Sequence, residues 1–134
     1  MITVDAKDMI IGRLSSYLAQ IALKGETINV INIEHAIITG KKETVIAKWK
    51  KRDNRGEPFH GPFIPKTPTR MAKRIIRNML PMTRTRGRDA LKRIKYYIGN
   101  KSNQSVEILD QCHIKHSKTF KYITLGEVCK ALKK

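Results

Sequence analysis

The chain has 134 residues, a length typical of one domain, and 40% of them are hydrophobic, which excludes an intrinsically disordered chain. Its formal net charge is +17. No segment approaches the roughly 18 consecutive apolar residues of a membrane span, the first residues lack the pattern of an export signal, and two cysteines are too few for a disulfide framework. We therefore expect one cytoplasmic domain over residues 1–134.

The first part of the chain predicts a strand, a helix and a second strand. The run ITV at residues 2–4 is apolar, and Ile11 and Leu14 begin a pattern of helical spacing that ends at Gly25. The segment TINVINI at residues 27–33 is rich in β-branched residues, which favour a strand. Such a βαβ unit implies parallel strands with a right-handed crossover, and the continuously apolar strands indicate a sheet covered on both faces.

Two more elements complete this α/β half of the chain, which we place at residues 1–52. AIIT at residues 36–39 predicts a short strand. A helix is predicted over residues 42–51, with Val45 on its apolar side. We expect Trp49 to belong to the core of the protein rather than to act as a stacking platform.

Residues 53–68, DNRGEPFHGPFIPKTP, predict a long irregular loop, because they hold four of the five prolines and two of the eight glycines. Loops of this length in small domains are usually functional or disordered, and the aromatic residues Phe59 and Phe63 argue against simple disorder. A partner that binds the loop could order it. His60 lacks a nucleophile or an orienting partner in the sequence, so we interpret it as an RNA contact or a packing residue rather than a catalytic base.

The stretch RMAKRIIRNMLPMTRTRGR at residues 70–88 has seven positive charges and no negative one. Thr67 suits a helix cap, Pro68 the first helical position, and Pro81 would end the helix after Leu80. On a helical wheel four basic residues share an arc of about 100°. This basic stripe consists of Arg70, Lys73, Arg74 and Arg77. The opposite side is apolar and is formed by Met71, Ala72, Ile75, Ile76 and Met79.

Three further arginines, Arg84, Arg86 and Arg88, surround Gly87. We expect them to form a turn in which the glycine lets the backbone approach a phosphate closely.

Short helices and strands are predicted for the rest of the chain. We predict a helix over residues 89–93, a strand over residues 94–98, a short strand at VEIL, residues 106–109, and a C-terminal amphipathic helix. Thr124 and Glu127 form the capping-box pattern that begins this last helix.

The positive charge is concentrated in the middle of the chain. Residues 41–101 hold 19 basic and 4 acidic residues, whereas residues 1–40 hold 3 and 4, and residues 102–134 hold 6 and 3. A merely solvated surface would mix the two signs. The first candidate partner is therefore a nucleic acid and the second an anionic membrane surface. Arginine favours RNA, because its guanidinium group binds phosphate in a fork and stacks on bases.

Catalytic and metal-binding motifs are not recognisable. HAIITGKK at residues 35–42 departs from a phosphate-binding loop at both its first glycine and its hydroxyl position. The carboxylates of the basic region stand singly, whereas a two-metal nuclease needs several together. The zinc-competent residues do not have zinc-finger spacing, and we expect Cys112 to be a small buried side chain. These ligand types are Cys112, His113, His116 and Cys129.

Five short motifs in combination resemble one family. They are GPF at residues 61–63, PTR at 68–70, RNMLP at 77–81, RG at 86–87 and ALKRIKYYIG at 90–99. They are similar to the signature region of the universal large-subunit ribosomal protein L13 family in its archaeal and eukaryotic form. VDAKDMIIGRLSSYLAQIALKGE and INIEHAIITGKK near the N-terminus are similar to it as well, so the resemblance covers about residues 1–100. One departure is Asn78, where the family often has glycine; asparagine also tolerates unusual backbone angles.

The resemblance implies a three-layer α/β fold with a small, mainly parallel sheet flanked by helices, plus a basic helical extension and the long Pro-rich loop. It also implies a structural, non-enzymatic role in the large ribosomal subunit. The expected partners are large-subunit rRNA and neighbouring ribosomal proteins, without a membrane, cofactor, metal or small-molecule substrate. We divide the domain into the α/β half, a basic loop-and-helix region at residues 53–101 that binds rRNA, and a C-terminal strand and helix at residues 102–134. An RNA-processing enzyme, which would need clustered carboxylates, and a dimeric DNA-binding regulator are the alternatives.

The residues expected to contact rRNA come from the basic end of the second helix, the loop, the stripe and the arginine turn. They are Lys50, Lys51, Arg52, Arg55, His60, Gly61, Pro62, Phe63, Lys66, Arg70, Lys73, Arg74, Arg77, Arg84, Arg86, Gly87 and Arg88.

Overall fold

A parallel sheet of four strands organises the fold in the computed structural model, which describes residues 1–100, 106–107, 109–116, 118 and 121–133. In spatial order the strands are β4 (Ile94–Tyr96), β2 (Ile28–Ile31), β1 (Ile2–Asp5) and β5 (Val106–Glu107). A second, antiparallel pair joins β3 (Ile37–Thr39) to β6 (Tyr122–Thr124). The flanking helices are α1 (Ile11–Lys24), α2 (Lys42–Asp53), α3 (Pro68–Arg77), α4 (Thr85–Arg93) and α5 (Leu125–Lys133). The predicted α/β fold with a small, mainly parallel sheet flanked by helices is confirmed.

The β1–α1–β2 unit forms as predicted. β1 and β2 pair in parallel, with Ile2 opposite Ile28, and the apolar side of α1 is buried. Gly25 ends the helix in the left-handed conformation (φ 109°), and its N–H donates to the Ala22 carbonyl. A residue without Cβ adopts this conformation at little cost, which explains the glycine.

Strand β2 is shorter than the predicted segment 27–33. Asn32 takes a left-handed backbone conformation (φ 53°), and its side-chain amide donates to Asp5 Oδ1 over 2.9 Å. A 3₁₀ turn, Ile33–His35, follows. Because a left-handed residue cannot continue a strand, the chain leaves the sheet at Asn32, earlier than its β-branched composition indicates.

Four element boundaries in the basic region differ from the predictions. β4 ends at Tyr96 rather than at residue 98. α2 continues to Asp53, so the loop begins later than expected. α3 ends at Arg77 rather than Leu80; the next residues form tight turns in which Met79 N–H donates to the Ile76 carbonyl. The prediction of a turn at residues 84–88 is wrong, because residues 85–88 form the first turn of α4.

The core joins the sheet to α3 and α5. Met71 and Ile76 of α3 are fully buried, and the Cys129 thiol of α5 contacts Met71 Sδ at 3.9 Å. Trp49 is buried, as predicted. The capping box is confirmed, because Glu127 N–H donates to Thr124 Oγ1 over 3.3 Å and Thr124 N–H to Glu127 Oε2 over 3.4 Å.

The strand predicted at VEIL is present as β5, which pairs in parallel with β1; residue 108 lies outside the described residues. None of the helices in the described ranges is both long enough and apolar enough to cross a membrane.

Candidate nucleic-acid interface

The basic stripe lies on the open side of α3. Its four residues are exposed, whereas Met71, Ala72 and Ile76 on the other side are fully buried. The wheel prediction is therefore confirmed for the helix itself. It is wrong for Met79, which is 40% exposed because α3 ends two residues before it.

The stripe has no neutralising partner within the part of the chain that the structure describes. Every ion pair found there involves other residues, and the first turn of α3 contains no acidic residue. The helix dipole opposes the positive charge of Arg70 near the N-terminus of α3 and favours Arg74 and Arg77 in its last turn. Mutual repulsion among the four cations raises the free energy of the folded chain until an anion binds to them.

A groove of about 370 Å³ runs along the stripe. The end of the loop, α3 and α4 each supply part of its lining. Its residues are Phe63, Pro65, Arg70, Lys73, Arg74, Arg77 and Leu91. Cationic groups thus stand beside an apolar wall, and no carboxylate is among these lining residues.

Two glycines give the loop a tight turn before it reaches the groove. Gly56 has a left-handed backbone (φ 86°), and a Cβ on it would lie 2.7 Å from the Gly61 Cα. A Cβ on Gly61 would lie 2.5 Å from the Glu57 carbonyl oxygen, to which the Gly61 N–H donates over 2.6 Å. Only glycine fits at either position. For Gly61 the structure thus supplies a packing reason, and its expected contact with rRNA stays a prediction.

The loop is anchored to the body of the protein beyond this turn. Ile64 is buried in the core. Lys66 Nζ lies 3.3 Å from Asp53 Oδ2 at the end of α2. Phe63, between the turn and these anchors, is 73% exposed.

A second hollow, of about 380 Å³, lies on the other side of Phe63. Phe63 lines both hollows. The second is lined by residues 53–58 and 61–63, so it brings the predicted residues Arg55 and Pro62 together with the carboxylates Asp53 and Glu57.

Other predicted residues have partners within the protein. His60 Nδ1 lies 3.3 Å from Glu57 Oε2. The Arg52 guanidinium lies 5.1 Å from the centre of the Trp49 ring, a cation–π distance. Lys50 and Lys51, in the last turn of α2, are exposed.

The arginines of α4 are placed differently from the stripe. Arg86 Nη2 donates to the Leu23 carbonyl and Arg93 Nη1 to the Ala22 carbonyl, each over 3.3 Å. These carbonyls belong to the last turn of α1, which carries the negative end of its dipole. Arg88 donates to the Thr83 carbonyl over 3.4 Å. Each of these hydrogen bonds stabilises the fold and uses only one of the five N–H groups of its guanidinium.

Gly87 is buried. A Cβ there would collide with the carbonyl oxygen of Pro81. Packing therefore explains why residue 87 is a glycine. The expectation that this glycine lets the backbone approach a phosphate stays a prediction.

The backbone conformation of Asn78 is one that any residue can adopt. It follows the last residue of α3 with φ −72° and ψ −14°, ordinary right-handed values.

The two cysteines are buried, and their thiols are unsuited to nucleophilic attack or metal binding. Burial raises the pKa of the Cys129 thiol to about 11, with nearby Lys133 acting weakly in the opposite direction. Burial also raises the pKa of Cys112, which Arg13 partly opposes. Thiols with a raised pKa are poor nucleophiles and poor metal ligands. Across the described ranges, no three His, Cys, Asp or Glu residues are placed to hold a metal ion.

Several surface residues were missed by the sequence reasoning. Leu91 and Pro65 line the groove, and Arg93 caps α1. Leu91 lies three residues after Arg88, so both could have been placed on one face of a helix, but only tertiary packing places Leu91 next to α3. A separate hollow of about 600 Å³, for which the sequence holds no signal, is lined by Lys41, Lys42, Glu43, Lys121 and Tyr122.

Comparison with known proteins finds one family. The family described as ribosomal protein L13 matches residues 1–103. Archaeal proteins named large ribosomal subunit protein uL13 are similar over almost the whole chain. The protein of Haloarcula marismortui is 41% identical over 131 residues, which are 98% of this chain and 90% of the relative. That of Methanopyrus kandleri is 41% identical over 134 residues (96% and 84%), and that of Picrophilus torridus 42% over 135 residues (98% and 96%).

Proposed function

The chain belongs to the ribosomal protein L13 family, and we propose that it is a structural constituent of the large subunit of the cytoplasmic ribosome, which binds and stabilises large-subunit rRNA. Neighbouring ribosomal proteins are its other partners. It is a structural component and not an enzyme.

The observation that carries RNA binding is the unneutralised stripe on a helix that is otherwise part of the core. Four exposed cations face solvent, and the described residues supply no carboxylate within ion-pair distance of them. A polyanion that neutralises them releases its own condensed counterions, which favours binding. RNA is such a polyanion.

The mechanism we propose is electrostatic clamping on a rigid base. Because Met71, Ala72 and Ile76 are buried, α3 cannot turn its cations away from the groove. At 1.5 Å per residue the stripe extends for about 10 Å along the helix, so it can contact more than one phosphate. Arginine binds phosphate through paired hydrogen bonds, which fixes orientation as well as adding affinity.

The remaining predicted residues extend this surface. Phe63 and Arg55 line the adjoining hollows, Lys50 and Lys51 are exposed in the last turn of α2, and the arginines at the start of α4 add charge where the helix dipole is already positive. The first turn of α4 contains no acidic residue. A phosphate there would relieve the repulsion among the arginines.

An RNA-processing enzyme is less well supported. In the described part of the basic region, Asp53 pairs with Lys66, Glu57 with His60 and Asp89 with Lys92. Carboxylates that are engaged singly in this way do not form the cluster that two-metal hydrolysis requires.

The experiment that tests the proposal is sedimentation of a cell extract at moderate salt, with antibody detection of this protein across the gradient. We expect a peak that follows the large subunit and moves to the top of the gradient after ribonuclease treatment. A protein found mainly at the top without ribonuclease would contradict membership of the subunit.

A further inference from the structure

We propose that the groove beside α3 holds a single unpaired nucleotide of the RNA, with its base stacked on Phe63 and its phosphates on the basic stripe. This inference rests on the proposed function and names the form of RNA that the site takes.

The first argument is that the groove has two kinds of wall. Four cations form one wall, and Phe63, Pro65 and Leu91 form an apolar surface beside it. An RNA duplex presents mainly phosphates and hydroxyl groups, which would satisfy the cations and leave the apolar wall uncovered. An unpaired nucleotide carries a flat base and a phosphate on one unit, so it satisfies both walls.

The second argument is that Phe63 is held out of the core by its neighbours. Ile64, the next residue, is buried in the core, and Phe63 is 73% exposed. The Lys66–Asp53 ion pair and the tight turn at Gly61 fix the chain on either side. A backbone that is already fixed on both sides of Phe63 loses little conformational entropy when a base stacks on the ring.

The third argument concerns size and selectivity. At about 370 Å³ the groove is at the small end of the roughly 300–1,000 Å³ range of ligand pockets, so it can hold one nucleotide but cannot enclose a duplex. No carboxylate lines the groove. Stacking on Phe63 would make recognition depend on the base being unpaired, and such stacking tolerates any base because every base has a flat face.

The test compares two RNA hairpins of the same stem at low salt. One has a perfect stem, and the other carries one bulged 2-aminopurine, whose fluorescence changes when it stacks on another ring. One stacked base contributes about 1–3 kcal/mol. We therefore expect the full-length protein to prefer the bulged hairpin by about tenfold, and the fluorescence of the bulged base to fall on binding.

Two matched variants assign the preference to the groove. Phe63→Leu keeps an apolar side chain and removes the aromatic ring, so it should bind both hairpins with the affinity of the perfect stem. Phe59→Leu is the control, because Phe59 lies in the same loop and is 87% exposed but does not line the groove. It should keep the preference for the bulge. Both positions are exposed, and circular dichroism would check that the variants fold.

The outcomes separate this inference from the proposed function. Equal affinities of the unmutated protein for the two hairpins would overturn the inference and leave RNA binding intact. A preference that survives in Phe63→Leu would overturn it as well. If neither hairpin binds at low salt, the proposed RNA binding fails together with it.

Discussion

The basic stripe on α3 and the arginines at the start of α4 consist of the same residue type, yet their surroundings differ. Arg70 and Arg74 line an open groove and make no ion pair with any described residue. Arg86 instead caps the last turn of α1, and Arg88 binds a nearby backbone carbonyl. The comparison teaches that a run of positive charge does not identify an RNA contact by itself. What distinguishes the two groups is that Arg86 and Arg88 already use one guanidinium N–H each to bind a carbonyl of the fold.

The largest effect that we expect comes from the packing of α4. Gly87→Ala would drive a methyl group into the Pro81 carbonyl, and backbone cannot move aside as a flexible side chain can. The free energy of unfolding should fall by about 3 kcal/mol or more, measured by urea denaturation.

The control for this substitution is Gly12→Ala in α1, where nothing lies within 4 Å of the added Cβ. It should be neutral or stabilising, by up to about 1 kcal/mol. A Gly87→Ala protein as stable as the original would show that packing does not require this glycine, and would favour the prediction that it lets the backbone approach a phosphate.

The next effect concerns the stripe. Arg70→Glu with Arg74→Glu should weaken binding to large-subunit rRNA by about a hundredfold, close to 2.7 kcal/mol, because two phosphate contacts become repulsive. The salt dependence of binding should become shallower. The free energy of unfolding should stay within about 0.5 kcal/mol of the original value, since both side chains are exposed.

A matched control for the stripe is Lys130→Glu with Lys133→Glu. These residues are exposed on α5, outside the proposed interface, and the pair changes the net charge by the same amount. If this control loses as much affinity as the stripe variant at equal salt, total charge rather than the stripe governs binding.

A smaller effect is expected at Arg86, and it should appear in stability. Arg86→Gln removes the bond to the Leu23 carbonyl and a favourable charge at the end of α1, so the free energy of unfolding should fall by about 1 kcal/mol. Arg84→Gln is the companion, since among the described residues no hydrogen bond or ion pair of the Arg84 side chain is found, and stability should not change. Equal stability of the two variants in urea would mean that Arg86 does not cap α1 in solution.

The smallest effect concerns the anchor of the loop. Lys66→Met breaks the ion pair with Asp53, which is partly exposed and should contribute less than about 1 kcal/mol. Amide hydrogen exchange in residues 56–66 should become faster, while exchange in α3 stays the same. Unchanged exchange in the loop would show that Ile64 and the glycine turn hold it without the ion pair.

Local patterns sufficed to predict a large part of the fold and the arrangement of the basic stripe on α3. The spacing of Ile11 and Leu14, the helix end at Gly25 and the two-sided pattern of α3 are properties of neighbouring residues, and each was predictable from them. The prediction of a turn at the arginines was wrong because it also relied on neighbouring residues alone. A glycine among arginines is typical of a turn, whereas here Gly87 lies inside α4 and packs against the Pro81 carbonyl.

The sequence by itself determined the charge, its concentration in the middle of the chain and its arrangement as one stripe of a helix, because these depend on composition and on a period of 3.6 residues. Only the packing of the elements shows which arginines also bind backbone carbonyls of the fold. Arg86 finds its acceptor 63 residues away in the chain, and Leu91 reaches the groove only because α4 packs on α3. Contacts between distant segments form when the elements bury their apolar faces together. The pattern of neighbouring residues does not predict which elements pack against each other.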